Sequence, residues 1–349
     1  MSSIGYDRGP VGSPDSSTDR SSDPVVSVLV VSYNTHELTL AACRSVEEQT
    51  TVPFELLVAD NASTDGSAEA LMRMFPDHVI RAEHENHGFA RANNLLANDA
   101  GGKYLLLLNP DTVVLDHAID RLVEFAERTP SAKIWGGRTL FGDGSLNPAN
   151  CWRKISVGST LCRVLGLDTR YAASPRLNAE GYGGWDRSDE REVDIVSGCF
   201  LLIEADLWRE LGGFDPMFEM YGEEADLCLR ARDHGARPRI TPEATIVHHG
   251  GASESVRSQK HIRLLRAKIT LADRHMSPGR AWMTKMLLRS WPLTRWVAAE
   301  LMHRVHPTGG SDHLRTNWCE VWSERSRWWH GYGPVDEAHA DEERGRVGV

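Results

Sequence analysis

From Val25 to Leu108 the chain alternates short, wholly apolar runs with stretches of helical spacing. Val25–Val31 (VVSVLVV), Phe54–Ala59, Val79–Ala82 and the four leucines Leu105–Leu108 are strand-length, and their continuous apolar character predicts strands buried on both faces. Glu37–Gln49, Ser67–Phe75 and Phe89–Asp99 space their apolar residues as amphipathic helices do. Strands separated by helices of about ten residues predict βαβ units and a mostly parallel sheet in an α/β fold. Several runs stop on polar or acidic residues: Ser32-Tyr33-Asn34, Asp60, and Asn109-Pro110-Asp111. In such sheets ligands gather beyond the carboxyl ends of the strands, so these stops outline a candidate ligand face.

Composition narrows the possibilities. A chain of 349 residues, 41% hydrophobic and 25% charged, is long enough for one large or two modest globular domains. A formal net charge of −10 lacks the basic footprint of a nucleic-acid binder, so no nucleic-acid partner is expected. The 6 cysteines are scattered with no CxxC pair, which fits reduced thiols in a cytoplasm and gives no structural zinc site. No apolar run approaches the roughly 20 residues needed to span a bilayer, and the N-terminus lacks a signal-peptide core. A cytoplasmic protein is expected, at most peripheral on the inner face of the cell membrane. Residues 1–24 and 333–349 hold little to bury and read as a disordered and a flexible tail.

Two loops between these elements carry candidate chemistry. In Asp60-Asn61-Ala62-Ser63-Thr64-Asp65-Gly66-Ser67, Asp60 can accept hydrogen bonds from a nucleobase imide or a ribose, while Ser63 or Asp65 can cap the next helix. In Asn86-His87-Gly88-Phe89-Ala90-Arg91-Ala92-Asn93-Asn94, a glycine turn precedes a helix, and its amides suit either a nucleotide or the turn itself. Neither a GxGxxG nor a Walker A sequence occurs, which disfavours a dinucleotide fold. The absence of a glycine-rich, lysine-bearing loop disfavours a nucleotidyltransferase. Glu223-Glu224-Ala225-Asp226 opens a predicted helix, where acids are favoured electrostatically as well as chemically. His248-His249-Gly250-Gly251 follows a strand and offers imidazoles to a metal or a diphosphate.

Taken together, SVLVVSYN, DNASTDGS, NHGFARANN and LLLLNPDT, followed by FGDGSLNP, VDIVSG, GGFDPMFEMYGEEADLCLRA and IVHHGGAS, resemble in kind and order the family 2 inverting glycosyltransferases of GT-A fold. Within that family the chain is most similar to bacterial rhamnosyltransferase-like members, over roughly residues 25–275. The resemblance implies a nucleotide-diphosphate sugar donor (dTDP- or UDP-linked, rhamnose the best guess), a glycan or polyprenyl-linked acceptor, Mg²⁺ or Mn²⁺, and a single carboxylate base. Position by position, it assigns the donor to Ser32, Asn34, Asp60, Asp65, Asn86, Asn93 and Asn109. It assigns the metal to Asp111 and His248, with His249 as a substitute, and the acceptor to Ser197, Gly198, Glu223 and Asp226. Glu224 becomes the base, with Glu223 and Asp226 as competitors for that role. The chain departs from the family pattern twice: Asn109 replaces the first acid of the metal motif, and Glu224 stands where the family has Asp. These departures keep open a non-catalytic nucleotide-sugar binding or scaffold protein as the alternative.

The expected organisation is a catalytic domain over 25–275, divided into a nucleotide-sugar half (25–112) and an acceptor half (113–275), then a helical extension over 276–332. Residues 150–192 fit the family poorly and suit an acceptor or lid loop. The extension crowds Trp282, Trp291, Trp296, Trp318, Trp322, Trp328 and Trp329 among Arg280, Lys285, Arg289, Arg295 and Arg304, with a helical pattern broken at Pro292. Two readings stand: basic amphipathic helices on a membrane surface, or a helical subdomain packed on the core or on a second subunit of a homo-oligomer.

Overall fold

A computed structural model describes residues 23–250 and 257–333. The expected tails lie outside this range but for Asp23, Pro24 and Gly333, as does the GAS end of the histidine motif. The first elements are β1 (Val26–Ser32), α1 (His36–Gln49), β2 (Phe54–Asp60), α2 (Ser67–Met74), β3 (Val79–Ala82), α3 (Gly88–Asp99) and β4 (Tyr104–Leu108), close to the pattern expected from the sequence. There follow β5 (Thr112–Val114), α4 (Ala118–Arg128), β6 (Ile134–Leu140), β7 (Cys151–Trp152), α5 (Val157–Val164), α6 (Leu167–Arg170), β8 (Arg191–Glu192), β9 (Ile195–Val196) and β10 (Phe200–Glu204). The rest is α7 (Ala205–Leu211), α8 (Glu223–Asp233), β11 (Arg239–His248), α9 (Arg257–His275), α10 (Pro278–Val305) and α11 (Gly309–Ser323).

The main sheet runs β3-β2-β1-β4-β10-β6-β11-β5, with β8 beside β11. Strands β3, β2, β1, β4, β6 and β11 share one direction, while β10, β5 and β8 oppose it. The four leucines explain how both faces are covered. Leu105 and Leu107 join one core with Leu29, Leu57 and residues of α3, α7 and α8. Leu106 and Leu108 join the other with Val28, Val30, Leu56 and residues of α1, α2 and α4. A period of two splits one apolar run between two layers of helices.

Strand β10 reverses direction between β4 and β6, pairing Phe200 with Leu108. Its first residues therefore meet the last residues of β4. Ser197, Gly198 and Cys199 land on the ligand face because they precede a strand instead of following one.

Residues 150–192 are a folded segment, not an open loop. Arg187 is buried at its centre and donates to the carbonyls of Trp185 at 2.5 Å, Pro148 at 3.0 Å and Gly181 at 3.0 Å. Glu180 takes ion pairs from Lys268 of α9 and from Arg163, so the segment is also tied to the C-terminal helices.

The tryptophans build a third core. Trp318 and Trp328 are buried with Ile262, Leu265, Ile269, Leu288 and Val321, and Trp291, Trp296, Trp322 and Trp329 pack around them. Helix α9, placed by the sequence at the end of the catalytic domain, gives Ile262, Leu265 and Ile269 to this cluster. Contrary to the expected break, α10 continues through Pro292. A proline inside a helix costs about 3 kcal/mol. Burying Leu288, with Trp291 and Trp296 packed beside it, returns roughly 1.5–3 kcal/mol per fully buried side chain, enough to hold the helix together.

Candidate active site

The donor face is assembled from the ends of β1, β2 and β4. Ser32 is buried, its hydroxyl 3.2 Å from that of Thr35 and 2.8 Å from that of Thr39, which fixes the start of α1. Asn34, in the left-handed region at φ 51°, accepts the Thr64 amide at 2.8 Å and donates its own amide to Ser63 Oγ at 2.9 Å. Asp65 accepts the amides of His36 at 3.0 Å and Ser67 at 3.1 Å. Slight burial works to raise its pKa, but the Ser67 hydroxyl and these amides hold the carboxyl below its ordinary value. The two loops are thus stitched to each other, and Asn34 and Asp65 already have partners within the fold.

Asp60 differs. Its Oδ2 accepts the Ser63 amide at 3.0 Å, while its Oδ1 is buried with no partner. Beside it stands Asn61, which the sequence reading passed over: its Nδ2 donates to Asn86 Oδ1 at 2.8 Å and its Oδ1 accepts the His87 amide at 2.9 Å. Asn86 also takes the Gly88 amide at 2.9 Å, so a pair of amides holds the glycine turn against β2. The position of Asn61 directly after a strand-ending acid was the available clue. Asn93 is buried and donates back to the Phe89 carbonyl of its own helix at 2.9 Å. Its neighbour Asn94 instead accepts the Phe214 amide at 2.9 Å and donates to the Phe214 carbonyl at 2.8 Å, tying α3 to the GGFD turn.

Asp111 and His248 meet because β5 pairs antiparallel with β11, placing Thr112 opposite His248. Asp111 Oδ1 lies 3.1 Å from His248 Nε2, and Asp111 Oδ2 accepts the Gly250 amide at 3.0 Å. Asn109 Nδ2 is 3.3 Å from the same imidazole nitrogen. Burial would raise the carboxyl and lower the imidazole, but their mutual hydrogen bond and attraction prevail. Asp111 falls below the ordinary carboxylate range. Against its burial, His248 is lifted to about 10 by Asp111 and, further, by the Cys199 side chain. His249 donates its amide to the Asp111 carbonyl at 3.0 Å, and its ring lies toward Gly142.

Among the described residues no group of three or more His, Cys, Asp and Glu is arranged to hold a metal. The donor set still fits a divalent cation bound in part by diphosphate oxygens and water, since Asp111 and the imidazole of His248, once it has released its proton, converge from two strand ends.

The acidic motif sits on a strained turn. Tyr221 (φ 69°) and Gly222 (φ 96°) both adopt left-handed backbone just before α8. A Cβ at Gly222 would lie 2.9 Å from the Phe218 ring and 3.0 Å from Ala267 Cβ, so only glycine fits. Glu223 and Glu224 each keep a buried Oε2 without a hydrogen-bond partner. Burial pushes both carboxyls up, and the charge of Glu224 raises Glu223 further. A Cβ on Gly198 would stand 3.9 Å from Glu224 Cβ and 3.3 Å from the Phe89 ring, so Glu224 flanks the start of β10. Burial and, after it, the charge of Glu223 push the Tyr332 hydroxyl up.

Asp226 is not brought to this place. It is fully buried and bound to Arg230 at 2.7 Å, His275 at 2.8 Å and Arg274 at 3.2 Å, an ion network that anchors α8 to α9. Ser197 donates its amide to the Asn150 carbonyl at 2.9 Å. The Asn109 amide donates to the Cys199 carbonyl at 3.2 Å. That bond links the Glu224–Gly198 contact to the Asp111–His248 pair within a few residues.

Sequence reasoning also missed what holds the acid turn. Lys260 lies over the Tyr221 ring at 5.9 Å, Arg263 reaches Met220 Sδ at 3.4 Å, and Arg266 pairs with Glu219 at 3.2 Å. From the far end of the described chain, Tyr332 donates its hydroxyl to the Met220 carbonyl at 2.7 Å. Lys260, Arg263, Arg266 and Tyr332 all lie outside the sequence motifs.

Comparison with known proteins gives the family and the fold. The profile of glycosyl transferase family 2 matches residues 27–204, and the chain belongs to that family. It is 29% identical over 270 residues to N-acetylglucosaminyl-diphospho-decaprenol L-rhamnosyltransferase of Mycobacterium tuberculosis, spanning 74% of this chain and 87% of that protein. An O-antigen biosynthesis protein of Myxococcus xanthus is 31% identical over 235 residues, 66% of this chain and 18% of that one. Among solved structures, a mannosyltransferase from Pyrobaculum calidifontis, in complex with GDP-Man and Mn²⁺, superposes with a TM-score of 0.54 at 17% identity over 88% of each chain, and shares the fold. The protein is a glycosyltransferase of GT-A architecture, similar to bacterial rhamnosyltransferases.

Proposed function

We propose that the chain is an inverting rhamnosyltransferase that takes its sugar from dTDP-rhamnose and passes it to a hydroxyl of a lipid-linked glycan in cell-envelope polysaccharide synthesis. The observation that carries the catalytic part is the unpartnered, buried carboxylate oxygen of Glu224 beside Gly198, one hydrogen-bonded step from Asn109 and the Asp111–His248 pair. The likeness to the mycobacterial rhamnosyltransferase, whose name gives a decaprenyl-linked acceptor, supports the donor and acceptor. No helix among the described residues is long and apolar enough to cross a membrane. In this reading a lipid-linked acceptor is met at the inner face of the membrane, with residues 276–332 as the contact.

Each residue takes a distinct part. The free oxygen of Asp60 accepts from the nucleobase, and the Asn61–Asn86 pair keeps the neighbouring turn in place. Asp111 and His248 would hold Mg²⁺ or Mn²⁺, which supplies charge neutralisation to the departing diphosphate. Ser197 and Gly198 floor the acceptor pocket. Glu224 takes the proton of the acceptor hydroxyl as that oxygen bonds to the anomeric carbon, and the sugar–phosphate bond breaks on the opposite face. A raised carboxyl pKa suits this role, since a carboxylate of higher pKa is the stronger base.

Incubation of the purified chain with dTDP-rhamnose, Mn²⁺ and a prenyl-diphosphate N-acetylglucosamine acceptor tests the reading. The expected product carries one added deoxyhexose by mass spectrometry and an inverted anomeric centre by NMR. Transfer from a different nucleotide sugar, or a retained anomer, would overturn it.

A further inference from the structure

Helix α10 is apolar on two opposite sides. Its inner side buries Ala281, Thr284, Leu288, Pro292 and Ala299 against α5, α9 and α11. Its outer side repeats apolar residues at steps of mostly four: Trp282, Met286, Leu293, Val297, Leu301 and Val305. Trp282 is 62% exposed, Leu301 57% and Val305 69%, and only Leu293 of the six is partly covered. At a rise of about 1.5 Å per residue this ridge runs for roughly 35 Å. Leu165, just past the end of α5, adds a further exposed apolar side chain near the Arg295 contact with Arg163. An exposed apolar stripe of this length marks an interaction surface.

Charge selects the occupant. In a chain of net charge −10, α10 carries Arg280, Lys285, Arg289, Arg295 and Arg304 against the single acid Glu300, which pairs with Arg304 at 3.0 Å. Lys285 pairs with Asp273, and Arg289 and Arg295 donate to the carbonyls of Trp329 and Arg163, so the cations that reach solvent are those at the two ends. Arg280 and Arg304 are solvent-exposed near the two ends of the ridge. A two-fold dimer through this face would bring the same cations together, whereas anionic headgroups would complement them. We propose that the outer face of α10 lies in the interface of a bilayer containing anionic phospholipid, with Trp282 and the Val297–Val305 end immersed and the flanking arginines among the headgroups. This deepens the lipid-linked acceptor reading and rests on it for its purpose, though the face is defined by α10 alone.

Flotation with vesicles of phosphatidylcholine plus phosphatidylglycerol, and with vesicles of phosphatidylcholine alone, tests the proposal without donor or acceptor present. The full chain is expected to float with the anionic vesicles and about tenfold less with the neutral ones. Val297→Asp/Leu301→Asp should lower flotation at least ~10-fold while leaving transfer to a water-soluble acceptor analogue unchanged. Trp282→Ser, which alters only an exposed ring, should shift binding in the same direction and serves if the double variant misfolds. Flotation on neither vesicle, or variants that float like the parent, would overturn the proposal. So would a sedimenting dimer that the double variant splits, which assigns the face to a second copy. Because no sugar is present, a failed donor assignment leaves this result standing, and the reverse holds too.

Discussion

The donor loops and the acid turn are held in opposite ways. Between β1 and β3 the polar side chains satisfy one another across loops about 30 residues apart: Asn34 with Thr64, Asp65 with His36, Asn61 with Asn86. Asp60 alone among the carboxylates of these loops keeps a buried oxygen free. At the start of the acid turn Asp215 accepts the Met217 amide at 2.9 Å. Glu223 and Glu224 leave carboxylate oxygens unpaired, and the turn is fixed from outside by α9 and Tyr332. On the proposed roles, an internally bonded platform would receive the nucleotide, while Glu224 would ride on a strained turn packed against the C-terminal helices. Binding and proton removal would then be mechanically separate.

That separation can be broken most sharply at Glu224. Glu224→Gln is expected to lower transfer by about 10²–10⁴-fold with donor affinity unchanged by calorimetry. Because burial raises this carboxyl above its unfolded value, its contribution to stability is present below the unfolded pKa and lost as pH rises through the folded one. The amide should then melt no lower than the parent at neutral pH. Glu223→Gln should cost only a few-fold, and equal losses in the two variants would deny that the side chains have different roles.

Next comes the anchor of the turn. Asp226→Asn leaves buried partners uncompensated and should cost about 3–5 kcal/mol in urea unfolding. Burial opposes ionisation of Asp226, but His275, Arg230 and Arg274 depress its pKa, so its stability is present above the unfolded value and lost as pH falls through the folded one. The variant should flatten the acid side of the stability–pH curve; an unchanged acid limb would remove Asp226 from the network.

On the donor side, Asp111→Asn should reduce turnover about 10²-fold. It should also release His248 from its value of about 10 toward the ordinary imidazole range, read by NMR titration of the metal-free protein. The smallest effect belongs to Tyr332→Phe, which keeps the ring and loses one hydrogen bond worth about 0.5–1.5 kcal/mol. A few-fold fall in kcat with unchanged donor Kd would show the turn loosened from the C-terminal side. A matched fall in donor affinity would show the two regions to be coupled after all.

Much of the platform was legible in the chain. Buried strands announce themselves as apolar runs, and their polar ends mark the ligand face, which is why Asp60, Asp111 and the order of β1 to β4 could be read directly. The partners of Asp111 could not be read locally, because His248 lies 137 positions away and arrives through the pairing of β5 with β11. Asp226 shows the opposite limit: an acid in a motif is indistinguishable from its neighbours until Arg230, Arg274 and His275 are seen to enclose it. The tryptophans carried two meanings at once. Six of the seven in the extension pack together around α9, and Trp282 remains outside. Pro292 misled because tertiary packing outweighed a local rule.

The reversed strand β10 also governs how the molecule must assemble in time. Strand β4 pairs with β1 on one side within the first half of the chain, but its other side waits for Phe200–Glu204, about 90 residues later in synthesis. Until those residues emerge, Leu105–Leu108 forms an uncovered leucine edge, the kind of surface that recruits other nascent chains. The strand that follows Ser197 and Gly198, the proposed floor of the acceptor pocket, is therefore also the one that covers this edge. Substitutions that slow the docking of β10 should lower soluble yield before they alter the finished enzyme.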